Sequence, residues 1–80
     1  MPVTYYVVVY FDRDEEDNLK AGEAREATNA AAAERAARAL AAQHAGAVAF
    51  SRTGDPATGD FRDGAVLAQF GDVDLDALSA

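Results

Sequence analysis

Residues 28–46 read TNAAAAERAARALAAQHAG, and this stretch decides the fold. Alanine is the best helix former, and four stand together from Ala30 to Ala33. Thr28 or Asn29 can cap the first free amides, and Gly46 stands where a helix ends in a left-handed residue. The sequence therefore predicts one helix over about 29–45, with His44 in its last turn. At 100° per residue Glu34, Arg35 and Arg38 share one side, with Glu34 placed to pair with Arg38. Ala33, Ala36, Ala37 and Leu40 share the other. That apolar stripe is shallow because Leu40 is its only large member. It suits close approach to a sheet that brings its own bulk.

The sheet is expected on both sides of the helix in sequence. Val3 to Phe11, VTYYVVVYF, is β-branched and aromatic throughout, and both of its faces are apolar. Ala47 to Arg52 reads as a second strand, with Val48 and Phe50 on one face and Ala47, Ala49 and Ser51 on the other, the small face lying beneath the helix. Ala65 to Phe70 reads as a third, with Val66, Ala68 and Phe70 on one side and Leu67 on the other. Residues 12–26 form a charged connection with turns near Asp17-Asn18 and Gly22, with room for a short hairpin extension. Residues 53–64 hold four turn signals and read as a long loop with Phe61 as its anchor. In the tail, Val73, Leu75 and Leu78 are spaced to touch the core. The expected fold class is α+β: a single domain over 1–80, a two-layer β-α-β-β sandwich with a three-stranded mixed sheet and one alanine-rich helix on one face. The same element order occurs in dodecins, small flavin-binding oligomers, a likeness of topology that no motif here carries.

Eighty residues bury only about 60% of their unfolded surface, and there is no cysteine to staple them or to ligate a metal. Self-association is the remaining common remedy. The helix is expected to cover one face of the first strand and to leave Tyr6, Val8 and Tyr10 uncovered on the other. An uncovered apolar face edged with tyrosines marks a partner interface or a ligand surface. A homodimer joined through that face, or a contact with another protein, is the leading expectation. An oligomer holding a flat aromatic ligand is the alternative.

The formal net charge is −7, with one lysine and six arginines. An acidic chain repels phosphate backbones and anionic bilayers, which argues against nucleic acid and membrane surfaces. No basic leader or long apolar run is present, so a cytoplasmic location is expected. High alanine and arginine with one lysine fits a GC-rich bacterial coding sequence.

Three groups of residues bear on chemistry. Asp12, Asp14 and Asp17, with Glu16, offer carboxylates for a divalent cation, but the glycine and bidentate glutamate of a calcium loop are out of place. Ser51, Arg52, Thr53 and Gly54 combine hydroxyls, a guanidinium and a glycine, a set that can hold an anion or small ligand, though without the lysine and following helix of a P-loop. His44 is the only histidine, and no nucleophile elbow surrounds Ser51. No catalytic constellation and no cofactor motif is read, and a non-enzymatic role is expected.

Overall fold

The computed structural model describes residues 3–55, 57–61 and 64–74, with Phe61 described by its backbone alone. Five strands and one helix follow in the order β1 Val3–Arg13, β2 Leu19–Ala27, α1 Ala30–Ala41, β3 Gly46–Asp55, β4 Asp60–Phe61 and β5 Ala65–Gly71. The class is α+β, as expected, with a single helix among the described residues. The sheet differs from expectation. Its order is β2-β1-β3, and the short β4 and longer β5 then follow one another along the far side of β3. Every pairing is antiparallel and the sheet is four strands wide. The mixed three-stranded β-α-β-β arrangement is therefore corrected to β-β-α-β-β-β, and the dodecin-like element order goes with it. β1 turns straight back into β2, and α1 then carries the chain across β1 to β3, which runs parallel to β2.

β2 looks like connection in the sequence because LKAGEAREA has no β-branched or aromatic residue. Strand propensity is set largely by context. Here the long, apolar β1 offers an edge to pair with, from Tyr6 opposite Ala27 to Arg13 opposite Leu19. The register slips between Val9 and Phe11, so Gly22 and Glu23 together face Tyr10, a β-bulge. A Cβ on Gly22 would stand 2.1 Å from the Tyr10 ring, so only glycine lets that ring lie where it does.

Helix α1 is shorter than 29–45. Asn29 is its N-cap, with its side-chain oxygen accepting from the Ala32 amide at 2.8 Å. It ends at Ala41, with Ala42 as a right-handed C-cap. Gly46 is not the left-handed terminator that the sequence suggests. It opens β3 and is buried, and a Cβ there would lie 2.1 Å from the Asp72 carbonyl oxygen. The glycine serves close backbone approach, not helix termination. Among the described residues no helix is long and apolar enough to cross a membrane.

The helix lies over Ala47 and Ala49, as their small size predicts. The register sets Val8 against Ala49, Tyr10 against Ala47 and Tyr6 against Ser51, so those three β1 residues share the helix side. Val8 is 1% exposed among Ala33, Ala37, Ala47 and Ala49, with Tyr6, Tyr10, Leu40 and Phe70 packed around. The face assignment for Tyr6, Val8 and Tyr10 is thus reversed. They lie beneath the helix, and the odd-numbered residues of β1 look the other way. One residue of register exchanges the two faces of a strand, and composition cannot settle that choice when both faces are apolar. Part of the other side is closed as well: Val9, Phe11 and Val48 are buried there, with Leu19, Val7, Phe50 and Val73 against them. The expected contacts of Leu75 and Leu78 lie outside the described residues, as does the side-chain role of Phe61.

Of the described residues between 53 and 64, those at 53–55 and 60–61 are strand, not loop. β3 continues to Asp55, and a tight turn follows in which the Asp55 carbonyl accepts from Gly59 at 2.8 Å and its carboxylate from Ala57 at 2.9 Å. In β5 an extra residue is accommodated between Ala49 and Phe50. Leu67 therefore joins Ala68 and Phe70 toward the helix while Val66 stays with Phe50 on the other side, which corrects the simple alternation.

Candidate functional site

The side of the sheet away from α1 is open at one end. Cross-strand partners share a face, and the register places Val7, Phe50 and Val66 in one row across three strands. Tyr5 and Arg52 form the next row and Val3 with Gly54 the one beyond. Val66 is 50% exposed and Val3 40%, while Tyr5, Val7 and Phe50 are half-buried. A shallow, mostly apolar concavity of about 350 Å³ lies here, lined by Tyr5, Val7, Ala24, Arg25, Glu26 and Arg52. It carries both signs of charge on its border, since Glu26 stands opposite Val7 and Arg52 opposite Tyr5.

The residues Ser51, Arg52, Thr53 and Gly54 do not form a ligand loop. They are part of β3 and alternate across the sheet. Ser51 and Thr53 lie on the helix side with Tyr6 and Thr4, where Thr53 Oγ1 and Thr4 Oγ1 are 2.9 Å apart. Arg52 looks the other way with Tyr5. An anion cradle needs its donors to converge, and these diverge.

The three aspartates weighed for a cation are also separated. Asp14 accepts from the Glu16 and Asn18 amides, both at 2.9 Å, and lies 3.4 Å from Lys20 Nζ. The Asn18 amide bond is the largest cause of a pKa lowered from the ordinary 3.8; the Glu16 amide and Lys20 act in the same direction and burial opposes them. Asp17 adopts a left-handed φ of 64° in this turn, and Arg13 donates to its carbonyl at 3.0 Å. Arg13 also reaches Asp72 at 3.2 Å. Asp12 belongs elsewhere. Among the described residues no three His, Asp or Glu side chains gather at a point where an ion could sit.

Asp12 takes part in the one constellation that sequence reading missed. Its Oδ2 lies 2.7 Å from His44 Nδ1, and its Oδ1 accepts from the Ala45 amide at 3.3 Å. The His44 ring stacks on Tyr10, with centroids 4.0 Å apart and planes 20° from parallel. A carboxylate accepts, so Nδ1 carries the hydrogen. That is half of a general-base arrangement, but no nucleophile accompanies it. Among the described residues His44 makes no bond to a hydroxyl, and Ser51 lies about 16 Å further along β3 at ~3.3 Å per residue. The arrangement fits a clamp better: it ties the turn leaving α1 to β1. His44 and Asp12 are 32 residues apart, so only the β1–β3 register brings them together.

Comparison with family models, with curated proteins and with solved structures finds no match.

Proposed function

We propose that this chain is a non-enzymatic interaction module that associates with a second copy of itself through its sheet. The observation that carries this reading is the open row Val7–Phe50–Val66, with Val3 and Tyr5 beside it, on the side that α1 does not cover. A second copy suits that surface on charge. The chain is acidic overall, so two copies repel unless they meet where carboxylates are few. The row is uncharged, and its border holds Arg52 as well as Glu26. A two-fold contact presents the same patch twice, so a patch carrying both signs can complement itself. Burial of even part of the row contributes about 25 cal/mol per Å², which matters in a chain of this size.

Sedimentation equilibrium across the micromolar range tests the reading. The unmodified chain is expected to reach a dimer, and Val66→Asp to remain a folded monomer at the same concentrations. A chain that is monomeric throughout overturns it. The concavity at Tyr5, Val7 and Arg52 favours a second reading, a flat aromatic ligand carrying a negative charge, held on the apolar floor with the guanidinium beside it. Absorbance above the tyrosine band in the purified protein, released on denaturation, would support that alternative.

A further inference from the structure

A sheet offers a partner two edges as well as two faces, and the edges here are unlike. β2 forms one. It carries Lys20, Glu23, Arg25 and Glu26 within nine residues and is bent by the bulge at Gly22–Glu23. Charge and bulges are the usual means by which an edge strand is kept from pairing. β5 forms most of the other edge, and among the described residues it pairs with β3 alone. Its sequence, AVLAQFG, has no charged residue. Among the described residues it is the only strand of which that is true: β1 has Asp12 and Arg13, β3 has Arg52 and Asp55, and β4 has Asp60.

The direction of its amides follows from one bond. Asp72 donates to the Ala45 carbonyl at 2.9 Å, continuing the register in which Gly71 faces Gly46 and Phe70 faces Ala47. Backbone groups alternate in direction along a strand. Asp72, Phe70 and Ala68 therefore turn their N–H and C=O toward β3, and Gln69 between them turns its own outward. Gln69 is exposed.

From this, and resting on the self-association proposed above, we infer that the second copy adds its β5 to this edge, antiparallel, about a two-fold axis near Gln69. Two sheets four strands wide become one sheet eight strands wide. Three features select a second copy as the occupant. An equally acidic chain can approach the uncharged strand without setting like charges together. Antiparallel pairing about Gln69 sets the acidic exit of each strand against uncharged residues of the other, Asp72 opposite Val66 and Asp74 opposite Gly64. The guarded β2 edge stops further addition, so the assembly closes as a dimer and does not grow into a fibre. Val66 then stands beside the seam, and the open apolar row runs on from one copy toward the next.

Two substitutions in the full chain test this. Gln69→Pro removes the outward N–H and leaves the β3–β5 bonds of Ala68 and Phe70 in place, an edge position that proline tolerates. Gln69→Glu leaves the backbone unchanged and sets two carboxylates close together across the axis. Both variants are expected to keep the far-ultraviolet circular dichroism of the unmodified chain and to weaken dimerisation at least tenfold. The effect of the glutamate should shrink with added salt. Should the proline variant unfold, the glutamate variant decides. Folded variants that dimerise as tightly as the unmodified chain overturn edge pairing while self-association through the open side stands. An unmodified chain that never dimerises overturns both.

Discussion

Asp12 shows how much a single side chain can organise here. Its two oxygens hold the His44 ring and the Ala45 amide, while the neighbouring Tyr10 supplies the surface on which that ring lies. The pair is partly wetted, with side chains 25% exposed at His44 and 50% at Asp12, so water screens it and its coupling should be modest. A double-mutant cycle of Asp12→Ala and His44→Ala, read by urea unfolding, is expected to give a favourable coupling of about 0.5–1 kcal/mol. Strictly additive effects would show that the clamp is decorative. Asp14 provides a pH signature. Its folded pKa is lowered, chiefly by the Asn18 amide, so its contribution is present above the ordinary value of 3.8 and is lost as pH falls through the lowered value. Asp14→Asn should therefore melt below the unmodified chain near neutral pH, and the gap should close in strong acid. A gap independent of pH would contradict that assignment. Residue identities narrowed the helix cap to Thr28 or Asn29 because a cap is local. They could not announce Asp12 with His44, which depends on long-range register.

At the scale of elements, the alanine stripe is what lets one short helix close a sheet. Ala33 and Ala37 are fully buried on Ala47 and Ala49, and no side chain longer than a methyl separates the two layers along that line. Ala37→Leu adds volume where none is free and should cost about 1–3 kcal/mol. Ala39→Leu, at an exposed position of the same helix, should change stability by less than ~0.5 kcal/mol. Equal effects in urea unfolding would mean that the helix does not sit this close. This contact was legible in advance, since a shallow stripe of period 3.6 and a strand face of alternate alanines are complementary in shape. The charged outer side was only partly legible: Arg38, expected beside Glu34, lies over the Phe70 ring at 5.6 Å. The second strand was hidden for the opposite reason to the helix. Nothing in Leu19–Ala27 prefers extended backbone, and it is a strand because β1 pairs with it. Once β2 is added, β1 becomes an interior strand, and its far face is closed around Val9 and Phe11 by Leu19, Val48, Phe50 and Val73 without a second helix.

For the whole molecule, the question is how an acidic chain with one helix and four strand widths covers what its core leaves open. One end of the far side is closed around Phe11 and Val48, while the Val7–Phe50–Val66 end is open. Face-on contact and edge pairing both reduce that exposure, but they act on different atoms. Contact through the face covers side chains and leaves the outward amide of Gln69 in water. Edge pairing bonds that amide and leaves much of the face unchanged. Amide hydrogen exchange at increasing protein concentration separates the two. Edge pairing predicts that Gln69 gains protection as dimer forms, in proportion to the dimer fraction from sedimentation. The amides of β1, bonded on both sides within one copy, should be the slowest at every concentration. Those of the outer β2 edge should exchange quickly and at a rate independent of concentration, because charge and the Gly22 bulge keep that edge unpaired. Protection appearing in β2 instead would place the second copy on the guarded edge, and the charge argument for a closed dimer would fail with it.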